Sequence, residues 1–359
     1  YGLRFNESSS ALWDLRDEGM DLFITDKYGL LKNKINAEDS LERINKARSE
    51  SEKVIYFFGG STMMSQGSRL PFFSITSLIE KLLKIKTGKN FTCINFAVGG
   101  TCCQEALNLL INRALKIAKP NMVVFYDGWN CASYLALRSK LLHISKEFNL
   151  DLPITEGETI RQFEHNITLD KVFNYNYCLS RLFKMSIGEI GGLLSPRESK
   201  LEKFIGRIQE KFFSLRTHSE LSKITNLIED DEIIDKSIEE SVIDYISIHQ
   251  FAKAITNSLD IQFITFLQPL TFWGSKKLTK KELDWDQSGY SSGRPKLYKL
   301  FKSQLISQIT NQSVFENFID ITNVFDDFED ELYIDTGHVN RLGNLIISEK
   351  ITKEILEII

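Results

Sequence analysis

Features that would indicate a metal centre or a membrane span are scarce in this 359-residue sequence. Its five histidines are scattered and no CxxC pair occurs, so a structural zinc site has almost no support. We therefore predict no metal and no cofactor. No uninterrupted apolar stretch reaches the roughly 20 residues that a membrane-spanning helix requires, so we expect no membrane span in the given chain.

An excess of charge of either sign is also missing. The chain has 44 Lys and Arg residues against 48 Asp and Glu residues, a net charge of -4, with no local basic block. A nucleic-acid partner is therefore not expected, because nucleic-acid binding requires a basic surface. The hydrophobic fraction of 42% is typical of a globular protein with a sizeable core.

The five cysteines are odd in number and include the adjacent pair Cys102 and Cys103. This pattern favours free thiols in a reducing compartment, and so a cytoplasmic location. The sequence begins with Tyr1 rather than Met, so we expect a preceding segment, in which a signal peptide or anchor could lie. The oligomeric state is not readable from the sequence.

Short apolar runs alternate with helical patterns along much of the chain. The runs are nearly continuous in hydrophobicity, as expected for strands that are covered on both faces. This alternation predicts a parallel sheet in a three-layer α/β arrangement. The predicted strands are 54–58, 91–96, 122–126, 261–267 and 318–321, and the predicted helices are 74–84, 104–118, 295–310 and 341–359.

The pattern changes between residues 134 and 257, where long, charged, helix-period sequence contains no convincing strand. We interpret this stretch as a helical insertion that could form a lid. The predicted organisation is therefore a lead-in at 1–50, a first part of the α/β core at 51–133, the insertion at 134–257 and a second part of the core at 258–359.

Polar and glycine-rich motifs follow four of the predicted strands. They are GGST (59–62), NFAVGGTC (95–102), DGWN (127–130) and DTGHVNRLGN (335–344). Ligands bind outside the carboxyl ends of the strands in open parallel sheets, so we expect these motifs to meet at one edge.

Together these motifs contain the parts of an acyl-transfer site. A serine hydroxyl is a poor nucleophile until a base takes its proton, and His338 is the histidine that stands beside a matching acid, Asp335. The charge that develops on a carbonyl oxygen needs hydrogen-bond donors aimed at it. The backbone N–H groups of Ser61 and Gly100 and the amide of Asn130 can supply three.

The order of these motifs resembles the SGNH (GDSL-type) hydrolases. The resemblance implies a flavodoxin-like α/β/α sandwich, Ser61 as nucleophile, Asp335 with His338 completing the triad, and Gly100 and Asn130 as oxyanion donors. The GGST variant, the YDGWN block and residues 266–282 also resemble a branch associated with bacterial surface glycans.

Two positions depart from the family pattern. Gly60 stands where an acidic residue usually precedes the serine, and Cys131 stands where an aspartate often follows the asparagine. Neither carries a proton in the mechanism, so activity is still expected.

Structural roles compete with functional ones at several positions. Ser61 could cap a following helix, and His338 could be a surface or capping residue. Asp127 is interpreted as a loop brace, and Gly99 as the bend beside Gly100. The other four histidines receive no role.

Two residues are weak substrate-binding candidates, Thr62 and Trp129. Three further aromatic residues could either stack on a sugar or pack in the core: Tyr126, Trp273 and Trp285.

The leading functional hypothesis is a serine esterase that removes a small acyl group, with acetyl expected, from a hydroxylated or glycan substrate. An O-acyltransferase acting on a surface glycan would use the same groups and differ in excluding water. A non-catalytic glycan-binding protein on the same fold is the third hypothesis.

Overall fold

The structure, a computed structural model, describes residues 11–14, 20–133, 135, 139, 231–287, 294–312 and 317–359. Most of the predicted insertion at 134–257 therefore lies outside the described residues, as does Cys178. The chain divides into two compact units, one of residues 1–133 with 242–359 and one of residues 134–241.

The described residues form seven strands and eight α-helices. The strands are β1 (Ala11–Asp14), β2 (Met20–Phe23), β3 (Lys53–Gly59), β4 (Phe91–Asn95), β5 (Met122–Asp127), β6 (Gln262–Leu267) and β7 (Phe318–Asp320). The helices are α1 (Ser40–Ser49), α2 (Ile75–Thr87), α3 (Cys103–Leu109), α4 (Leu115–Ile117), α5 (Asp231–Ser258), α6 (Lys280–Gln287), α7 (Arg294–Gln312) and α8 (Arg341–Ile358).

Strands β3 to β7 form one parallel sheet in the order β4-β3-β5-β6-β7. Numbered within this sheet the order is 2-1-3-4-5, which is the flavodoxin-like doubly wound arrangement. All five predicted strands are therefore present, with ends that differ by at most one residue. The predicted parallel three-layer α/β/α sandwich is confirmed.

The central strand β3 shows why the sheet needs helices on both faces. Ile55 and Phe57 belong to one buried cluster, whereas Tyr56 and Phe58 belong to the other. Successive side chains of a strand point to opposite faces, so each face of β3 is apolar. Burying one such side chain contributes roughly 1.5–3 kcal/mol.

Different helices supply the two covering layers. Apolar residues of α2 and α8 pack in the cluster that contains Phe57, including Ile79 and Ile351. Residues of α1, α3 and α5 pack in the cluster that contains Phe58, including Ile44 and Ala252.

The N-terminal lead-in contains regular structure that the sequence pattern did not reveal. Strands β1 and β2 form a separate antiparallel pair, and α1 follows before the main sheet begins. The single helix predicted at 104–118 is interrupted by a π-helical segment, Leu110–Ala114. The two-stranded pair joins the main sheet nowhere within the described residues.

Candidate active site

Three of the four predicted motifs begin at the ends of β3, β4 and β5, whereas the fourth, 335–344, begins 15 residues after β7 ends. Gly59, the last residue of β3, pairs with Tyr126 near the end of β5. Asp127 pairs in turn with Leu267, the last residue of β6. The GGST turn and the DGWN motif therefore begin at the same edge of the sheet.

Ser61, His338 and Asp335 form a continuous chain of hydrogen bonds at this edge. His338 Nε2 lies 2.7 Å from Ser61 Oγ, and His338 Nδ1 lies 2.6 Å from Asp335 Oδ2. A carboxylate can only accept, so Nδ1 carries the proton and Nε2 accepts from the serine hydroxyl. Residues that are 277 positions apart are thus within hydrogen-bond distance.

The Asp335 carboxylate is fixed by its own turn. Its Oδ1 accepts from the backbone N–H of Gly337 at 2.9 Å and of His338 at 2.7 Å. Burial opposes ionisation of this carboxyl, but the charge of His338 and these hydrogen bonds outweigh it and lower the pKa of Asp335 below its ordinary value. The acid is therefore held in its charged form.

Gly60 allows the serine turn to lie against Asn130. A Cβ at position 60 would lie 2.6 Å from Asn130 Nδ2, closer than any real side chain tolerates. Asn130 Nδ2 donates to Thr101 O at 2.9 Å, which leaves its second N–H for another acceptor. The departure from an acidic residue at position 60 thus has a steric explanation.

The backbone N–H groups of Ser61 and Gly100, two of the predicted oxyanion donors, have no hydrogen-bond acceptor among the described residues. Gly99 and Gly100 are the two central residues of a turn that the Thr101 N–H closes on Val98 O at 3.2 Å, and Gly100 takes the left-handed conformation with φ of 72°. No helix starts at Ser61, because residues 61–67 form turns and α2 is capped by Ser74.

The weaker substrate-binding candidates differ in exposure. Thr62 is buried, and its hydroxyl donates to Gln268 Oε1 at 3.3 Å. Trp129 is half-buried and its ring lies 5.3 Å from the His338 ring, edge to face.

Tyr126 and Trp273 are buried, which favours the core-packing role that we left open for them. The side chain of Trp285 lies outside the described residues.

Asp127 is buried beneath the site and has partners on α5. Its Oδ1 accepts from the Tyr245 hydroxyl at 2.7 Å, and its Oδ2 lies 3.2 Å from His249 Nε2. His249, to which we assigned no role, therefore has a buried partner in Asp127. No sequence pattern indicates this contact, because the two residues are 122 positions apart and belong to different elements.

Glu282 connects the loop at 266–282 to the segment that leads into Asp335. It is 1% exposed and accepts from the N–H groups of Leu332 and Tyr333, at 2.9 and 3.0 Å, and from Lys276 Nζ at 3.0 Å. Burial opposes its ionisation, but bonds from Thr279, Tyr333, Leu332 and Lys276 outweigh burial and lower the pKa of Glu282. Sequence reasoning missed this residue.

The four described cysteines are free and buried. Burial raises the pKa of the Cys131 thiol to about 12 and that of Cys103 well above its ordinary value. Neither thiol is therefore activated as a nucleophile.

None of the described helices combines the length and hydropathy that crossing a bilayer requires.

No protein-family model matches the sequence, and a search of curated proteins found no match. Solved structures with a similar arrangement include the acetyl xylan esterase AlAXEase, at 13% identity and TM-score 0.39, covering 84% of this chain and 99% of that one. A lipase from a goat rumen metagenome matches at 11% identity and TM-score 0.41, covering 84% and 97%. A lipase/acylhydrolase from Enterococcus faecalis matches at 13% identity and TM-score 0.36, covering 84% and 95%. At identities and TM-scores this low, we infer neither fold nor function of this chain from these structures.

Proposed function

We propose that this chain is a serine ester hydrolase of the SGNH type. The observation that carries the proposal is the 2.7 Å contact between Ser61 Oγ and His338 Nε2, with Asp335 on the other ring nitrogen. A nucleophile, a base and an orienting acid within hydrogen-bond reach are the arrangement that acyl transfer through a serine requires.

In the proposed reaction Ser61 Oγ attacks the carbonyl carbon of the ester while its proton moves to His338 Nε2. The oxyanion accepts from the N–H groups of Ser61 and Gly100 and from the Asn130 amide. Collapse of the intermediate breaks the bond to the alcohol, which leaves with the proton from Nε2. Water then attacks the acyl-enzyme, again with His338 as base, and releases the acid.

We further propose a small acyl group, with acetyl expected, on a hydroxylated or glycan substrate. The partly exposed Trp129 beside His338 supports this proposal, because an aromatic face can pack against a sugar ring. Transfer of the acyl group to a sugar hydroxyl would use the same acyl-enzyme, so the assay should contain an acceptor glycan and measure both transfer and hydrolysis.

The direct test compares wild type with Ser61→Ala on p-nitrophenyl acetate. We expect turnover to fall by at least about 10³-fold, because no other group replaces the nucleophile. Ser49→Ala, an exposed serine on α1, is the matched control and should keep full activity. A fluorophosphonate probe should label Ser61 in the wild type. Full activity in Ser61→Ala would exclude the serine mechanism, and absence of labelling would favour the non-catalytic hypothesis.

A further inference from the structure

The indole of Trp129 packs directly on the short segment that carries the base. Its six-membered ring covers Gly337, because a Cβ added at position 337 would lie 2.6 Å from Trp129 Cε3. The ring centroids of Trp129 and His338 are 5.3 Å apart, with the ring planes inclined by 67°. Aromatic pairs attract each other in this edge-to-face arrangement. Trp129 therefore limits how far residues 337–338 can move.

The other end of the indole is held by Tyr298, a residue of α7. Trp129 Nε1 donates to the Tyr298 hydroxyl at 3.2 Å, and an indole nitrogen can only donate. The same hydroxyl forms a hydrogen bond with Ser133 Oγ, four residues after Trp129. Both Tyr298 and Ser133 are buried. One hydroxyl thus fixes two side chains of the segment that follows β5.

Tyr298 is itself fixed by the loop at 266–282. Its carbonyl oxygen accepts from Trp273 Nε1 at 2.9 Å, and its ring stacks on that of Phe272 with centroids 5.2 Å apart. Tyr298 is only 2% exposed. A side chain that is packed on its ring and bonded at its hydroxyl has little room for another rotamer. Tyr298 is therefore a rigid support for the indole.

The turn that carries the base needs support from outside itself. The hydrogen bonds of Asp335 to Gly337 and His338 span at most three residues. They fix the shape of the turn but not its position relative to Ser61. Misplacing a reacting group by about 1 Å can lower a rate by about 10²-fold. A contact from another segment, such as that of Trp129, can prevent such a displacement.

We propose that Tyr298, acting through Trp129, is a positioning residue for the base His338. The inference rests on the proposed ester hydrolysis, in which the imidazole must take the serine proton. The Tyr298 hydroxyl holds the indole, which packs on the segment 337–338. The imidazole is thereby kept within hydrogen-bond distance of the Ser61 hydroxyl. Trp129 is half-buried, so its exposed part can still contact a substrate.

The first test is Tyr298→Phe, which keeps the ring and removes the hydroxyl that holds Trp129. We expect kcat on p-nitrophenyl acetate to fall about tenfold and KM to change by less than about twofold. The matched control is Tyr56→Phe, which removes a buried hydroxyl that donates to Ala118 O at 3.1 Å. It should retain kcat, and urea unfolding compares the stability of the two variants. An unchanged kcat in Tyr298→Phe would overturn the proposal, as would a raised KM with unchanged kcat.

Trp129→Phe tests whether Tyr298 acts through the indole. A phenyl ring has no N–H, so Tyr298→Phe should lower kcat little further in that background. If each single variant lowers kcat about tenfold, independent effects would give about 100-fold in the double variant. We expect at most about 20-fold, because both changes remove the same hydrogen bond. Losses that multiply fully would overturn the proposal.

Proton NMR separates failure of this proposal from failure of the proposed function. The proton between His338 Nδ1 and Asp335 Oδ2 should give a downfield signal that is absent from His338→Gln. Its exchange with water should be at least about threefold faster in Tyr298→Phe than in wild type or Tyr56→Phe. This measurement needs no ester hydrolysis, so an inactive wild type would contradict only the proposed function. Equal exchange rates in wild type, Tyr56→Phe and Tyr298→Phe would overturn the positioning role of Tyr298.

Discussion

His338 makes two hydrogen bonds through its ring, and each constrains the other. The proton on Nδ1 is fixed by Asp335 Oδ2 at 2.6 Å, which leaves Nε2 to accept from Ser61 at 2.7 Å. Were Asp335 unable to accept, the ring could adopt the other tautomer and Nε2 could no longer take the serine proton.

Asp335→Asn should therefore lower kcat on p-nitrophenyl acetate by about 10³–10⁴-fold, with little change in KM. The asparagine side chain keeps the size of the carboxylate but presents an N–H to the ring or to the turn. Asp330→Asn, an exposed carboxylate five residues earlier, is the control and should retain activity. Activity of Asp335→Asn within a factor of two of wild type would contradict the assigned role.

Asn130 is the only proposed oxyanion donor whose group can be removed by mutation, because the other two are backbone N–H groups. We expect Asn130→Ala to lower kcat by about 10²–10³-fold, as removal of one oxyanion donor does in serine hydrolases. Asn90→Ala, at an exposed position before β4, serves as control. A raised KM with unchanged kcat would instead indicate a role in substrate binding.

At the scale of elements, the loop at 266–282 supports the turn that carries the acid and the base. Glu282 holds the N–H groups of Leu332 and Tyr333, and the Thr271 N–H donates to Thr336 O at 3.0 Å. These bonds place the 332–338 segment relative to β6. Glu282 therefore acts on the site only through the backbone that it holds.

Glu282→Gln should destabilise the protein by roughly 3 kcal/mol, because it leaves Lys276 buried without its charge partner. We also expect a lower kcat, by about tenfold, since the segment before Asp335 loses a charged acceptor. Urea unfolding and steady-state kinetics measure the two effects, with the exposed Glu329→Gln as control. If neither quantity changes, the loop does not support the site.

Local sequence predicted the elements of the sheet but not all elements of the chain. The five core strands were predicted because they are nearly continuous apolar runs of strand length. Strands β1 and β2 pair with each other and lie outside the alternation of strands and helices from which the other strands were predicted. The contact of Asp127 with His249 was missed for a different reason, because it is made across two elements that no local pattern connects.

At the scale of the whole molecule, strand order and motif order together made the site predictable. Parallel strands put their carboxyl ends at one edge, so motifs that follow strands meet there. Ser61, Asp335 and His338 were found by this reasoning, and the structure places them in contact. Glu282 was not found, because its role depends on backbone groups of Leu332 and Tyr333, which have no sequence signature.

The pKa values of Glu282 and Asp335 predict how the stability of the molecule depends on pH. Both are lowered in the folded state from ordinary values of 4.5 and 3.8. Below those values the unfolded chain binds more protons than the folded chain, so the free energy of unfolding decreases as the pH falls. The stabilisation that these two carboxyls contribute is complete above about pH 5. It is lost progressively as the pH falls below that value.

Urea unfolding between about pH 7 and pH 3.5 measures this dependence. Glu282→Gln should show a shallower decrease below pH 4.5, because one of the two linked carboxyls is gone. The exposed Glu329→Gln should follow the wild-type curve. Parallel curves for wild type and Glu282→Gln would show that Glu282 has the same pKa in both states.

The separation of 277 positions between the hydroxyl of Ser61 and the imidazole of His338 also has a consequence for biosynthesis. A ribosome adds residues from the amino end, so a growing chain has its serine long before its histidine exists. Unfinished or prematurely terminated products that lack residue 338 would therefore lack the proposed esterase activity. The proposed activity would arise only once translation has passed residue 338 and that segment has folded against the Ser61 turn.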